Sequence, residues 1–196
     1  MYRRCIKRIL DFLIALIALP FVLLVICIMA PVIYINDPGP IFYNAPRRGE
    51  NGKIFKMFKL RSMYVNAPDI RNEDGSTYNG DSDPRVTRVG KFMRKTSIDE
   101  IPQFINVLIG DMSLVGPRPL LTKIPYDELS DLAKKRLKIR PGITGYAQAY
   151  YRNSVSSERK FQIDCEYIEK MSFMLDVKIL IQTVLSVIKC KDIYIE

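Results

Sequence analysis

The sequence predicts an α+β, mostly helical fold: an N-terminal re-entrant membrane helix hairpin, then a compact cytosolic domain with a small β-hairpin and interfacial amphipathic helices. Three observations lead there. Phe12 to Ile35 is an uncharged apolar run, two short strand-like segments flank a glycine-bearing turn, and helix start and stop signals recur through the second half. The boundary is drawn after residue 37. Segment 1–37 is membrane-embedded, and 38–196 is the cytosolic domain that carries the candidate chemistry.

Arg3, Arg4, Lys7 and Arg8 precede the apolar run, which is long enough to cross roughly 30 Å of hydrocarbon as a helix. It is too long for a signal peptide, and no A-x-A cleavage site comes after it. A straight single span is the simplest reading. Against it stand Pro20 in mid-run and a second basic flank, Arg47, Arg48, Lys53, Lys56, Lys59 and Arg61. Both flanks prefer the cytoplasm, which a helix bent at Pro20 and returning to the same face satisfies. Asp11 then lies at the interface.

Asp37-Pro38-Gly39-Pro40 is a turn that releases the chain from the membrane. Ile41 to Tyr43 and Ile54 to Phe58 read as two strands around an Arg48 to Gly52 turn. Lys56, Lys59 and Arg61 at the end of this hairpin either hold phosphates or rest on anionic lipid. Tyr64 to Arg88 is polar and turn-rich, a long loop that serves as a lid or is an insertion.

Arg94 to Pro119 is the densest stretch. Ser97, with Glu100 three residues on and Ile101, Phe104, Ile105 and Leu108 behind it, reads as a capping box opening a helix that stops near Gly110. Asp99 and Glu100 then lie in its first turn, where the helix dipole favours ionised carboxylates, and an ionised pair attracts a divalent cation. Such a pair can also do no more than cap a helix. Asp111 comes directly after the helix, and Gly116-Pro117-Arg118-Pro119 holds a permanently charged fork between two residues of fixed φ, suited to gripping phosphate.

Pro125 to Lys138 reads as a charged surface helix. Arg140 to Tyr146 is a rigid turn whose glycines either let backbone approach a ligand or simply connect. Ser156 or Ser157 opens another helix, and Ser172 or Phe173 a last one. Asp176 and Lys178 make this last helix amphipathic, packed in the core or lying on the membrane surface.

Thirty Lys and Arg against twenty-one Asp and Glu give a net charge of +9, pointing to anionic partners. The absence of histidine removes the commonest general base and zinc ligand, so chemistry must run on carboxylates, Lys, Arg, Tyr or Cys. Cys5, Cys27, Cys165 and Cys190 lack C-x-x-C spacing and read as reduced structural thiols.

Together these residues resemble the small monotopic phosphoglycosyl transferases, bacterial polyprenyl-phosphate sugar-phosphate transferases. The resemblance covers nearly the whole chain: K-R-x-x-D-F at 7–12, PGPIFY at 38–43, FKMFKLRSM at 55–63, DPRVTRVGKFMRKTSIDEIPQFINVLIGDMSLVGPRPLL at 83–121, PGITGYAQ at 141–148 and FMLDVKIL at 173–180.

The resemblance implies transfer of a sugar phosphate from a UDP-sugar to polyprenyl phosphate, with Mg²⁺ and release of UMP. It implies Asp99 as the nucleophile of a phosphosugar-aspartyl intermediate, Glu100 as support for metal or geometry, and both as the metal site. Lys59, Arg94, Arg118 and Arg152 match phosphate-facing basic positions, and Asp176 an acidic residue near the dyad. It also implies a bacterial inner membrane setting with the catalytic domain facing the cytoplasm, membrane lipid as a partner, no nucleic acid, and room for a homodimer. Rival readings are a membrane-anchored Mg²⁺-dependent phosphohydrolase and a non-catalytic adaptor binding anionic lipid.

Overall fold

The computed structural model describes residues 2–70, 78, 80, 82–151 and 154–188, so Arg152 lies outside the described residues. The apolar run forms one helix, α1 (Lys7–Asn36), which continues unbroken through Pro20 and Pro31. Each proline lacks an N–H, so the carbonyls of Leu16 and Cys27 lose their usual intrahelical donors, and each is a place for the helix to bend. One side of α1 is buried along its length, at Lys7, Asp11, Ala15, Val22, Met29 and Ile33, while large apolar side chains stand exposed elsewhere on it, Ile17 at 80%, Phe21 at 59% and Ile35 at 81%. Ala15 joins the main core beside Val107 and Met112, and Met29 and Ile33 pack with Leu60 and Met93.

Past α1, two antiparallel strands form the expected hairpin, with a later first strand. β1 (Ala45–Arg48) pairs with β2 (Ile54–Met57) in the register Ala45↔Met57 and Arg48↔Ile54. The segment assigned to the first strand survives as a single bridge, Phe42↔Leu60. Hydrophobicity misplaces this strand because it ends on arginines. Arg48 is nevertheless buried, with Nη2 donating to the Ile124 carbonyl at 3.0 Å and its guanidinium lying over Tyr126.

Helix α2 (Arg88–Thr96) starts at Thr87, whose hydroxyl accepts the Gly90 N–H at 2.8 Å. It ends at Ser97 in the left-handed region, φ 58°. This corrects the capping-box reading, because Ser97 terminates α2 and its side chain caps no helix after it. Ile98–Glu100 is a 3₁₀ turn, and the next helix, α3 (Gln103–Ile109), begins only after Pro102. The stop is where expected, at Gly110, φ 100°.

β3 (Ser113–Val115) pairs in parallel with β5 (Gly142–Thr144), and β4 (Leu120–Leu121), which lies between them in sequence, adds a third strand to the hairpin sheet by pairing with β1. The PGITG glycines therefore permit approach of backbone to backbone, not a ligand. A Cβ at Gly142 would meet the Gly116 N at 2.1 Å and the Thr144 O at 2.2 Å. The charged surface helix is shorter than expected: α4 (Asp131–Arg136) is capped by Ser130. Three more helices follow among the described residues, α5 (Tyr146–Tyr150), α6 (Ser157–Lys170) and α7 (Phe173–Ile188).

Helix α7 packs in the core along one side. Ile179 is fully buried in the main core, while Phe173, Met174, Ile181, Val184 and Leu185 stand exposed on its outer side. The main core joins β2, α3, β3, α6 and α7 through Phe55, Met57, Val107, Leu114, Tyr167 and Ile179.

Candidate active site

Two backbone anchors build the site from β2 onward. Asn106 of α3, with no exposed surface, accepts the Phe58 N–H at 2.8 Å and donates to the Lys56 carbonyl at 2.8 Å. Leu60 N–H then donates to the Asp99 carbonyl at 2.9 Å. Lys59, fixed between these anchors, reaches both dyad carboxylates: its Nζ lies 2.9 Å from Asp99 Oδ2 and 3.1 Å from Glu100 Oε1.

The dyad is unequal. The Asp99 side chain is 2% exposed and that of Glu100 27%, so the two neighbours face different surroundings. The buried Asp99 Oδ2 is met by the Lys59 ammonium as an ion pair, and no other donor reaches it among the described residues.

Charge around Glu100 keeps it ionised. Burial is the largest single influence on Glu100 and pushes its pKa up, yet Lys59, Arg118 and Arg94 together outweigh it and hold the carboxyl below its ordinary value. For Lys59, burial pushes down, and Asp99 and Glu100 more than reverse it, so the ammonium is held above its ordinary value. A carboxyl lowered in the folded state stabilises the fold above its unfolded pKa of 4.5 and loses that contribution as pH falls through the folded value. Melting temperature followed from about pH 7 to about pH 3 should therefore show an acid limb that is shallower in Glu100→Gln than in the wild type. Identical limbs would mean that Glu100 is not held ionised.

Of the other expected site residues, Arg94 stands close enough to act on Glu100, and its Nε donates to Ser62 Oγ at 3.0 Å. The Arg118 side chain is exposed, and among the described residues its guanidinium has no hydrogen bond or ion pair, while its charge reaches both Lys59 and Glu100. Asp111 is not part of the cluster; it sits past the far end of α3, 3.6 Å from the exposed Lys53. Asp176 is engaged elsewhere. Its carboxylate accepts from Lys7 Nζ at 2.6 Å, Tyr2 Oη at 2.5 Å and Tyr167 Oη at 2.6 Å, at the foot of α1.

Sequence reasoning missed Asn106 and Ser62, and it gave Arg61 to phosphate or lipid, whereas the Arg61 guanidinium binds the Asp37 carboxylate and the Pro40 carbonyl and so ties the end of α1 to the chain beside Lys59. An apolar helix interrupted by one asparagine was the available signal for Asn106.

For Mg²⁺ the donor set is sparse. Among the described residues no three carboxylate, thiol or imidazole groups converge, so a cation is not caged by protein alone. Mg²⁺ commonly takes one or two carboxylates and completes its shell with water and substrate phosphate, and Asp99 with Glu100 meets that requirement.

The whole arrangement lies within a known family. The model for "Bacterial sugar transferase" matches residues 2–190, and the chain belongs to that family. It is 42% identical to the galactosyl transferase CpsE of Streptococcus agalactiae, over 90% of this chain and 41% of that protein. It is 40% identical to the UDP-glucose:undecaprenyl-phosphate glucose-1-phosphate transferase of Escherichia coli, over 92% and 40% respectively. It thus spans about two fifths of those relatives, whereas it covers 89% of the sugar transferase EpsL of Bacillus subtilis, at 39% identity.

Proposed function

We propose that the protein transfers a sugar 1-phosphate from a UDP-sugar to undecaprenyl phosphate, releases UMP, and so initiates assembly of a membrane-bound glycan. The observation that carries this reading is the buried Asp99 carboxylate paired with Lys59, beside a Glu100 on which Lys59, Arg118 and Arg94 all act. Those cations offset the repulsion between a carboxylate and an incoming diphosphate.

In the first step an Asp99 oxygen attacks the sugar-bearing phosphorus. The bond to the UMP phosphate breaks, and UMP leaves with the electron pair. In the second, an oxygen of undecaprenyl phosphate attacks the same phosphorus, the bond to Asp99 breaks, and the pair returns to the carboxylate. The acceptor is already anionic and the leaving group is a phosphate, so neither step needs a histidine. Mg²⁺ held by Asp99 and Glu100 would neutralise phosphate charge. Lys59 holds both dyad carboxylates, and Arg118, whose guanidinium has no hydrogen bond or ion pair among the described residues, grips a phosphate oxygen.

In this reading α1 re-enters the inner membrane from the cytoplasmic face and leaves by the same face. Support comes from the contacts of both halves of α1 with the rest of the chain, Ala15 in the main core and Met29 and Ile33 against Leu60 and Met93, and from the basic flanks. The exposed apolar side of α7 lies at the lipid boundary.

The test is UMP release by detergent-purified protein from a panel of UDP-sugars with Mg²⁺ and undecaprenyl phosphate. Lipid-dependent release with one donor, lost on chelation, is expected. Release of free sugar phosphate without lipid would favour a hydrolase, and no release from any donor would sink the reading.

A further inference from the structure

Arg136 closes α4 and is 3% exposed, outside the contact set of the dyad. Its guanidinium lies 4.0 Å over the Phe161 ring, and its Nε and Nη2 reach Asp164 Oδ2 at 2.9 and 2.7 Å. Nη2 also donates to the Arg118 carbonyl at 3.1 Å. Asp164 in turn takes the Ala147 N–H, so one buried carboxylate joins α6, α5 and, through Arg136, the GPRP loop.

A buried ion pair is a poor stabilising device, since packed apolar residues of like volume often do as well or better. This one is further handicapped because Arg136 Nη1 is buried with no partner. What the guanidinium adds, and an apolar side chain cannot, is a donor to the Arg118 carbonyl from a plane held by stacking and by Asp164. The rest of the loop is pinned as firmly. Gly116 N–H donates to the Thr144 carbonyl at 2.9 Å, and the Pro117 carbonyl accepts from Gly142 N–H at 3.0 Å. With Pro117 and Pro119 limiting φ on either side, the Arg118 backbone is immobilised and only its exposed side chain is left to move.

We propose that Arg136, held by Asp164, is a positioning residue that fixes how Arg118 presents its guanidinium to the donor diphosphate. This rests on the sugar-phosphate transfer reading. Neither Arg136 nor Asp164 touches substrate. Their effect passes through one carbonyl, so it should vanish once the Arg118 side chain is gone.

The experiment measures kcat, KM and melting temperature of the full chain in detergent for Arg118→Ala, Arg136→Lys and the double variant. Arg136→Gln combined with Asp164→Asn, with and without Arg118→Ala, is a second series in case Arg136→Lys does not fold, because it replaces the buried pair instead of breaking it. Lysine keeps a charge toward Asp164 but lacks the planar fork that reaches Asp164 and the carbonyl together. The expected result is a loss in kcat/KM of about 10- to 100-fold in Arg136→Lys, carried mainly by kcat. That loss should shrink to nearly nothing in the Arg118→Ala background, with melting temperature close to wild type. Losses that multiply in the double variant, or an unimpaired Arg136→Lys, overturn the proposal while leaving the transfer reaction standing. A wild-type chain that releases no UMP from any donor overturns both.

Discussion

Asp99→Asn is expected to abolish lipid-dependent UMP release, by about 10³-fold or more, with the fold intact. Asparagine is nearly isosteric and keeps an oxygen near Lys59, but an amide oxygen is a far weaker nucleophile and its acyl phosphate analogue has no route back to a stable carboxylate. The Lys59 ammonium keeps Glu100 at 3.1 Å, so the substitution does not strand an unpaired cation. Melting temperature should therefore change little. Glu100→Gln should cost less, because Glu100 is half-buried and is assigned support of the metal and geometry, not attack.

The decisive companion measurement uses wild-type protein given UDP-sugar without acceptor. Intact mass should rise by one sugar phosphate, and the adduct should be cleaved by hydroxylamine, as an acyl phosphate is. Asp99→Asn should take no label. Activity within about 10-fold of wild type in Asp99→Asn would remove the covalent step from the mechanism and leave the dyad as a metal site or a purely structural one.

Much of this site is legible in the sequence alone. The paired carboxylates, the proline-flanked Arg118 and the Gly110 stop all stand in one short stretch, and their chemistry comes from residue type. The local backbone is less legible. Ser97 and Glu100 have the spacing of a capping box, but that spacing says nothing about the residue's own φ. A preceding helix that ends on Ser97 in the left-handed region uses up the position. The same helix, α2, is hidden behind a polar loop because its single start signal, Thr87, comes at the end of a long turn-rich segment.

Non-local pairings are illegible for a different reason. β3 and β5 are three residues each and meet in parallel across an intervening strand and helix, so no periodicity can build up; only the glycines that make the contact sterically feasible are visible in sequence. The buried pair Arg136–Asp164 leaves no trace either, since a charged residue at the end of a charged helix reads as solvated. For Asp176 the residue is legible and its partners are not. The acid is there, but its partners come from the other end of the chain.

That placement makes Asp176→Asn the largest expected change in stability. The Lys7–Asp176 pair is buried on both sides, with side-chain exposures of 11% and 7%. Asp176 also accepts from the Tyr2 and Tyr167 hydroxyls, both held protonated by burial first and then by this carboxylate. Removing the charge leaves a buried ammonium uncompensated, a loss of about 3–5 kcal/mol, or a fall in melting temperature on the order of 10 °C. A second substitution separates this from a role in binding phosphate. If the cost is the stranded ammonium, Lys7→Met on top of Asp176→Asn should restore much of the stability, because the pair is then replaced and not broken. If Asp176 instead serves the substrate, KM should rise in Asp176→Asn at nearly unchanged melting temperature, and Lys7→Met should rescue nothing. The first outcome bears on activity too. Asp11, one helical turn beyond Lys7, accepts the Leu114 N–H at 3.1 Å, and β3 leads from there into the loop that carries Arg118. The foot of α1 is thus coupled to the loop that carries Arg118 through a single short strand, and loosening it should lower kcat even with every dyad contact preserved.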